Sequence, residues 1–328
     1  MIRNTRSNYP QKHGFSMDMF TNAELQQIHL ATLEVLLHEG VTVGSEEALK
    51  LFADGGAAVD FSSRKVRIKP YMVEDAIRSA PSTVVMAGRT PEYDVVLDGS
   101  RVNFTTFGCG VGVIDIETNK YRDSTLKDVA DTARISDAVE NVDMYTSAVT
   151  GGRDVPVASL DLHMADAFLS NTTKHCMHVE LTGVNAKKYL EMGAAIVGDM
   201  DKLRERPLVS AMTAPTSPLQ LTADSCDIIM AFAREGMPCC VISMAMAGAT
   251  SPITLAGTLV THNAEVLSGI VLSQLAERGA PVLYGSSTTT FDLLYTTAPV
   301  GAPELGMFSA SVAALAQQYL LPSLVAGT

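Results

Sequence analysis

The chain has 328 residues, with 36 acidic side chains against 24 basic ones and a formal net charge of −12. Phosphate backbones and anionic membrane surfaces require a concentrated basic face, so this balance argues against nucleic acid or an anionic membrane as partner. Hydrophobic residues make up 47 % and charged residues 18 %, which excludes a disordered chain and requires a large buried core, one with 6 % aromatics and no Trp.

The N-terminal stretch to Phe20 contains Pro10, Lys12, His13 and Asp18 and no apolar block, so it does not read as a signal peptide. Thr21-Asn22-Ala23-Glu24 is a capping box, and Leu25, Ile28, Leu33, Leu36 and Leu37 follow at helical spacing up to Gly40. A second helix is predicted over Ser45–Ala53, a strand at Val66-Arg67-Ile68, a helix from Pro70 to Arg78, and a strand at Val84-Val85-Met86. These elements make residues 1–100 a small N-terminal α/β region.

From about residue 102 the pattern becomes periodic. Apolar strands centre on Thr105, Thr146, His178, Ser210, Ile242, Tyr284 and Val325, 32 to 42 residues apart. Helical stretches separate them over Leu126–Val139, Ser159–Ser170, Ala186–Val197, Ala223–Ala233, Pro252–Glu277 and Pro303–Tyr319. An inserted hairpin is predicted where Val113–Ile116 and Tyr121-Arg122 flank Glu117–Lys120. Strict alternation implies parallel strands with right-handed crossovers. The predicted class is α/β: a (β/α)8 TIM barrel over residues 101–328, incomplete at the C-terminus with about seven of eight units. The expected site is where the strands end. Ile253–Leu275 is the longest apolar stretch, but His262, Asn263 and Glu265 interrupt it, so it does not read as a membrane span. The five cysteines lack framework spacing and fit reduced thiols in a cytoplasmic protein.

Gly108-x-Gly110-x-Gly112 has the wrong spacing, and the wrong element after it, for a nucleotide loop. His175-Cys176-Met177-His178, with Glu180 beyond and Cys239-Cys240 two units on, offers metal-ligand types. Metal ligation needs three or four convergent groups, and the better reading is a polar strand end with His178 or Glu180 contacting a substrate or satisfying backbone groups. His262 and Glu265 are one helical turn apart, as a paired contact would be. Ser217 and Ser286 suit hydrogen-bond donors and lack the context of nucleophiles. Phe107, Tyr145 and Tyr284 could face a methylated ammonium, or pack in the core. The candidate substrate-binding residues are therefore His178, Glu180, Ser217, Tyr284 and Ser286, chosen by strand-end placement.

The chain resembles the trimethylamine:corrinoid-protein methyltransferase family. The resemblance starts with Phe20-Thr21, Glu24-Leu25, Ile28-His29 and Ala31-Thr32, and continues with Thr173-Lys174-His175 and Pro215–Leu219. It is strongest in Ser243–Met246, Leu255–Gly269 and Tyr284–Asp292, and ends with Ala298–Gly306 and Pro322–Gly327. It implies a (β/α)8 enzyme moving a methyl group from trimethylamine to the Co(I) corrinoid of a separate corrinoid protein, in methylamine-dependent one-carbon metabolism. No cofactor or metal is then bound directly, and a homo-oligomer is implied. The resemblance also implies a pyrrolysine directly after Thr328, so the catalytic group would lie outside residues 1–328. Two alternatives stand beside it: a glycine betaine-type quaternary-amine methyltransferase without pyrrolysine, and a non-catalytic fragment that only docks the corrinoid protein.

Overall fold

The structure, a computed structural model, describes residues 9–10, 18–152 and 154–327. Most of the N-terminal stretch assessed for a signal peptide, and Thr328, lie outside them. The first helix, α1 (Asn22–His38), opens on the expected capping box: Glu24 N–H donates to Thr21 Oγ1 at 3.3 Å and Thr21 N–H donates to the Glu24 carboxylate at 2.7 Å. There follow β1 (Val41–Val43), α2 (Glu46–Asp54), β2 (Ala58–Asp60), β3 (Lys65–Arg67) and α3 (Pro70–Ser79). Pro70 starts α3, where its missing N–H costs nothing. Next come β4 (Val84–Met86), β5 (Val95–Leu97), β6 (Gly112–Ile114), β7 (Tyr121–Asp123), α4 (Leu126–Ala138) and β8 (Tyr145–Thr146). The chain continues through α5 (Leu160–Leu169), β9 (Cys176–His178), α6 (Ala186–Val197), α7 (Met200–Glu205) and β10 (Val209–Thr213). The last stretch holds β11 (Gln220–Leu221), α8 (Ala223–Arg234), β12 (Cys239–Ser243), α9 (Leu255–Ala276), β13 (Val282–Ser286), α10 (Pro303–Gln318) and β14 (Ser323–Val325).

The chain divides into two compact units, one of residues 1–12 and 84–212, the other of residues 13–83 and 213–328. The pattern change near residue 100 falls inside the first of these. In that unit β8, β9 and β10 pair in parallel. Helix α5 connects the first pair, and α6 with α7 the second. The expected hairpin is present as antiparallel β6 and β7. The strand predicted around Thr105 is reduced to a single parallel bridge to Met144, reinforced by the Thr105 and Thr146 hydroxyls at 2.7 Å.

In the other unit β12, β13 and β14 pair in parallel through α9 and α10. A separate small sheet joins β11, β1, β3 and β2. Among the described residues α9 is the one helix long and apolar enough to cross a membrane, and 72 % of its apolar window is buried inside the fold. A helix that is apolar on every side is a core helix when other elements surround it.

Alternation along these strands decides which side chains face the helices. On β9, the His178 ring lies 5.3 Å from that of Phe168 on α5 and 5.2 Å from that of Tyr189 on α6. On β12 and β13, Val241 packs against α9, and its register partner Tyr284 donates its hydroxyl to Asn263 of α9 at 2.6 Å. Ser286 pairs with Ser243, which also bonds α9, so it shares that face. Three of the five candidates thus require correction: His178, Tyr284 and Ser286 are buried on the helix-covered side of their strands and do not line a substrate mouth. The physical reason is the period of two, which carries every second residue of a strand away from the opposite face. On that opposite face Gly285 is required, because a Cβ there would sit 2.7 Å from Cys240 Sγ and 2.9 Å from Ile242 Cβ.

Candidate functional site

The carboxyl ends of β8 and β9 carry a loop clasped by backbone bonds. Cys109 N–H donates to the Ser147 carbonyl at 3.2 Å and Gly110 N–H to that of Ala148 at 3.1 Å, while Val179 N–H donates to Ser147 Oγ at 3.1 Å. Cys109 adopts φ +69°, and the preceding Gly108 leaves only 3.0 Å between an added Cβ and Val179 Cγ2, so the loop follows β9 closely.

Glu180 lies just past β9 in this clasp. Both carboxylate oxygens are buried and have no hydrogen-bond partner among the described residues. Burial raises its pKa; the neighbouring Cys109 thiol and Ser147 hydroxyl, neither in hydrogen-bonding geometry, act in the opposite direction and are outweighed. Cys109 is exposed as a residue, yet partial desolvation first and the Glu180 carboxylate second push its thiol up to about 12. A desolvated carboxylate without a counter-charge takes up a proton or holds a cation. Phe107, two residues before Cys109, is 62 % exposed and free to present its ring face.

The other candidates are committed elsewhere. His175 engages Ser210 Oγ at 2.7 Å through Nε2, and its Nδ1 faces the Pro207 carbonyl at 3.0 Å. His178 Nε2 donates to the Asp161 carbonyl at 2.9 Å. Burial pushes both imidazoles down to about 4, so both are neutral at pH 7. Burial likewise pushes the Cys239 thiol up to about 12 and holds it protonated. Among the described residues no group of three or more His, Cys, Asp or Glu is placed to hold a metal ion.

In the other unit Ser217 donates to Glu265 at 2.8 Å, alongside Ser243 Oγ at 2.6 Å and Leu219 N–H at 3.0 Å. Glu265 is fully buried, and burial raises its pKa despite these three donors. It ties the loop after β10 to the end of β12. His262, one turn earlier, does not join it: Nδ1 meets Thr288 Oγ1 at 2.9 Å, its ring packs on Tyr284, and burial pushes it down to about 3. Spacing on the helix suggested a His262–Glu265 pair; packing assigns each its own partner. The sequence signal for the Glu265 clasp is a carboxylate on a predominantly apolar helix, since such a group must be bonded when buried.

Residues 2–328 match the model of the trimethylamine methyltransferase family (MTTB). The chain is 52 % identical over 314 residues to a trimethylamine methyltransferase of Desulfitobacterium hafniense, covering 96 % of this chain and 63 % of that one. It is 30 % identical over 306 residues to a glycine betaine methyltransferase of the same species, covering 93 % and 63 % of the two chains. The chain therefore spans less than two thirds of the length of these relatives. Its backbone is similar to that of the monomethylamine methyltransferase of Methanosarcina barkeri, with a TM-score of 0.53 at 12 % identity over 92 % of this chain and 67 % of that one.

Proposed function

This chain belongs to the trimethylamine methyltransferase family, and on that premise we propose that it serves methyl transfer from trimethylamine to the Co(I) corrinoid of a separate corrinoid protein. The observation that carries the reading is Glu180: a buried carboxylate lacking a partner suits a methylated ammonium. The gap between 52 % identity to a trimethylamine enzyme and 30 % to a glycine betaine enzyme favours the tertiary amine. The alternating strands and the likeness to the monomethylamine enzyme support a (β/α)8 barrel in the full-length protein, and the same reading takes that protein as a cytoplasmic homo-oligomer.

Reduced corrinoid, held by its own protein, supplies the nucleophile. The nitrogen must leave as a neutral amine, because an amide anion is a far poorer leaving group. Glu180 favours the positively charged nitrogen that allows this, by electrostatics in a site shielded from water. The clasped backbone of Cys109, Gly110 and Val179 fixes the carboxylate in place. A pyrrolysine, which the family resemblance implies for the full-length protein, would supply an electrophile to the lone pair of the free tertiary amine, as an alternative to protonation.

The test is the full-length protein with trimethylamine and the reduced corrinoid protein, followed by loss of the Co(I) absorbance. Methylation is expected with trimethylamine and falls on the order of a hundredfold in Glu180→Gln. Turnover of glycine betaine without turnover of trimethylamine would overturn the substrate assignment. Corrinoid-protein capture without any methylation would favour a docking role alone.

A further inference from the structure

A cleft of about 540 Å³ opens in the unit of residues 13–83 and 213–328, walled by α1, α3 and the end of α10. Its floor is formed by His29, 4 % exposed, and Tyr319, 7 % exposed. These two belong to a hydrogen-bonded chain whose direction is fixed by its ends. Tyr284 O–H donates to Asn263 Oδ1 at 2.6 Å, and Asn263 N–H donates to Tyr319 Oη at 2.8 Å. Tyr319 Oη then has its proton free for His29 Nδ1, 2.9 Å away. His29 carries its own proton on Nε2 and donates it to Glu74 Oε1 at 2.9 Å. The chain thus locks one oxygen of Glu74, a residue that lines the cleft, and leaves Oε2 outside the chain.

Oε2 faces the Arg78 guanidinium at 3.7 Å, a loose and largely exposed i,i+4 ion pair that a zwitterionic ligand would have to open. The Gln318 side-chain amide donates to Gln26 Oε1 at 2.9 Å, and both side chains line the cleft. Ile77 and Leu320 add apolar wall. The cleft therefore offers a fixed anion and a cation side by side, with an apolar flank.

We propose that this cleft binds a small zwitterion, an α-amino acid with an apolar side chain, its ammonium on Glu74 Oε2 and its carboxylate on Arg78. Adjacent opposite charges match the adjacent charges of an α-amino acid, and a ligand held by both rejects analogues lacking either. Neither the family match nor Glu180 assigns a ligand to this place, and its residues belong to the unit that does not contain Glu180.

L-Leucine titrated into the full-length protein by calorimetry is the test, with L-leucinamide and N-acetyl-L-leucine as analogues missing the carboxylate and the ammonium. One-to-one binding is expected, with both analogues, Glu74→Gln and Arg78→Gln each weakening it about tenfold or more, as loss of one charged contact does. Gln at position 74 still accepts from His29, and Arg78 has a 74 % exposed side chain, so its variant keeps the fold and carries the test by itself. Absence of binding at millimolar L-leucine, or equal binding of all three compounds, overturns the proposal. Either result leaves the methyl-transfer reading untouched.

Discussion

At residue scale, the candidate site turns on which polar side chains have partners. Glu265 and Glu180 are both buried carboxylates with raised pKa, but three donors meet Glu265 and none meets Glu180. Glu180→Gln is therefore expected to stabilise the fold by about 1 kcal/mol at pH 7, because it removes a desolvated charge, and to weaken amine binding. The sign follows from the direction of the shift. A raised folded-state pKa means no penalty at pH well below the ordinary value of 4.5, and a growing one as pH rises from there through the folded-state pKa. Thermal melts of the two proteins should coincide near pH 4 and separate above pH 6; a variant less stable than the parent at pH 7 contradicts this account. Placement at a strand end was legible in the sequence for His178, Tyr284 and Ser286, but their face was not. Parallel strands buried on both sides are apolar throughout, so the pattern gives position without orientation. Glu180 escapes the difficulty because it stands beyond its strand.

Helix ends were the most legible elements, because capping chemistry is local. The Thr21–Glu24 box was readable, whereas its counterpart at the start of α4, Thr125 with Asp128, uses the shorter acid. Asp128 does double duty there. It accepts from Thr125 N–H at 2.8 Å and pairs with both terminal nitrogens of Arg122 on β7, at 2.7 and 2.9 Å, so it ties the inserted hairpin to the helix. Hydrogen bonds from Arg122 first hold its carboxyl far below the ordinary 3.8. Asp128→Asn is expected to destabilise the protein by about 1–2 kcal/mol at neutral pH through the lost cap and lost fork-to-fork pairing. A depressed folded-state pKa contributes stability above the ordinary value and loses it as pH falls below. The difference between parent and variant should accordingly shrink on acidification from pH 4 downward in chemical-denaturation midpoints. Gly285→Ala tests the opposite kind of local rule. Its Cβ would meet Cys240 Sγ at 2.7 Å and the Val241 carbonyl oxygen at 2.9 Å, so a loss of about 1–3 kcal/mol is expected in the same assay.

At the scale of the molecule, the βα alternation was visible because each repeat needs its own apolar strand and its own helix; the two compact units were not. Residues 13–83 close onto 213–328 by contact between segments far apart in sequence, and no local pattern records that. Net charge is the whole-molecule property that bears on the proposed amine. At −12 the chain attracts any organic cation, bound specifically or not. Salt separates the two, since the screening length falls from about 30 Å at 0.01 M to about 3 Å at 1 M. Distant surface charges are screened over that range, while a desolvated contact with Glu180 is not. Tetramethylammonium, whose charge does not change with pH, is the suitable probe. Its affinity for the full-length protein should fall only about twofold to fivefold between these salt concentrations, and Glu180→Gln should remove most of what persists at 1 M. A parent affinity that collapses with salt, or a residual affinity unchanged by the substitution, would assign cation binding to the acidic surface. The same titration run downward in pH should lose binding while the medium is still above 4.5, because the raised pKa of Glu180 brings its neutralisation forward.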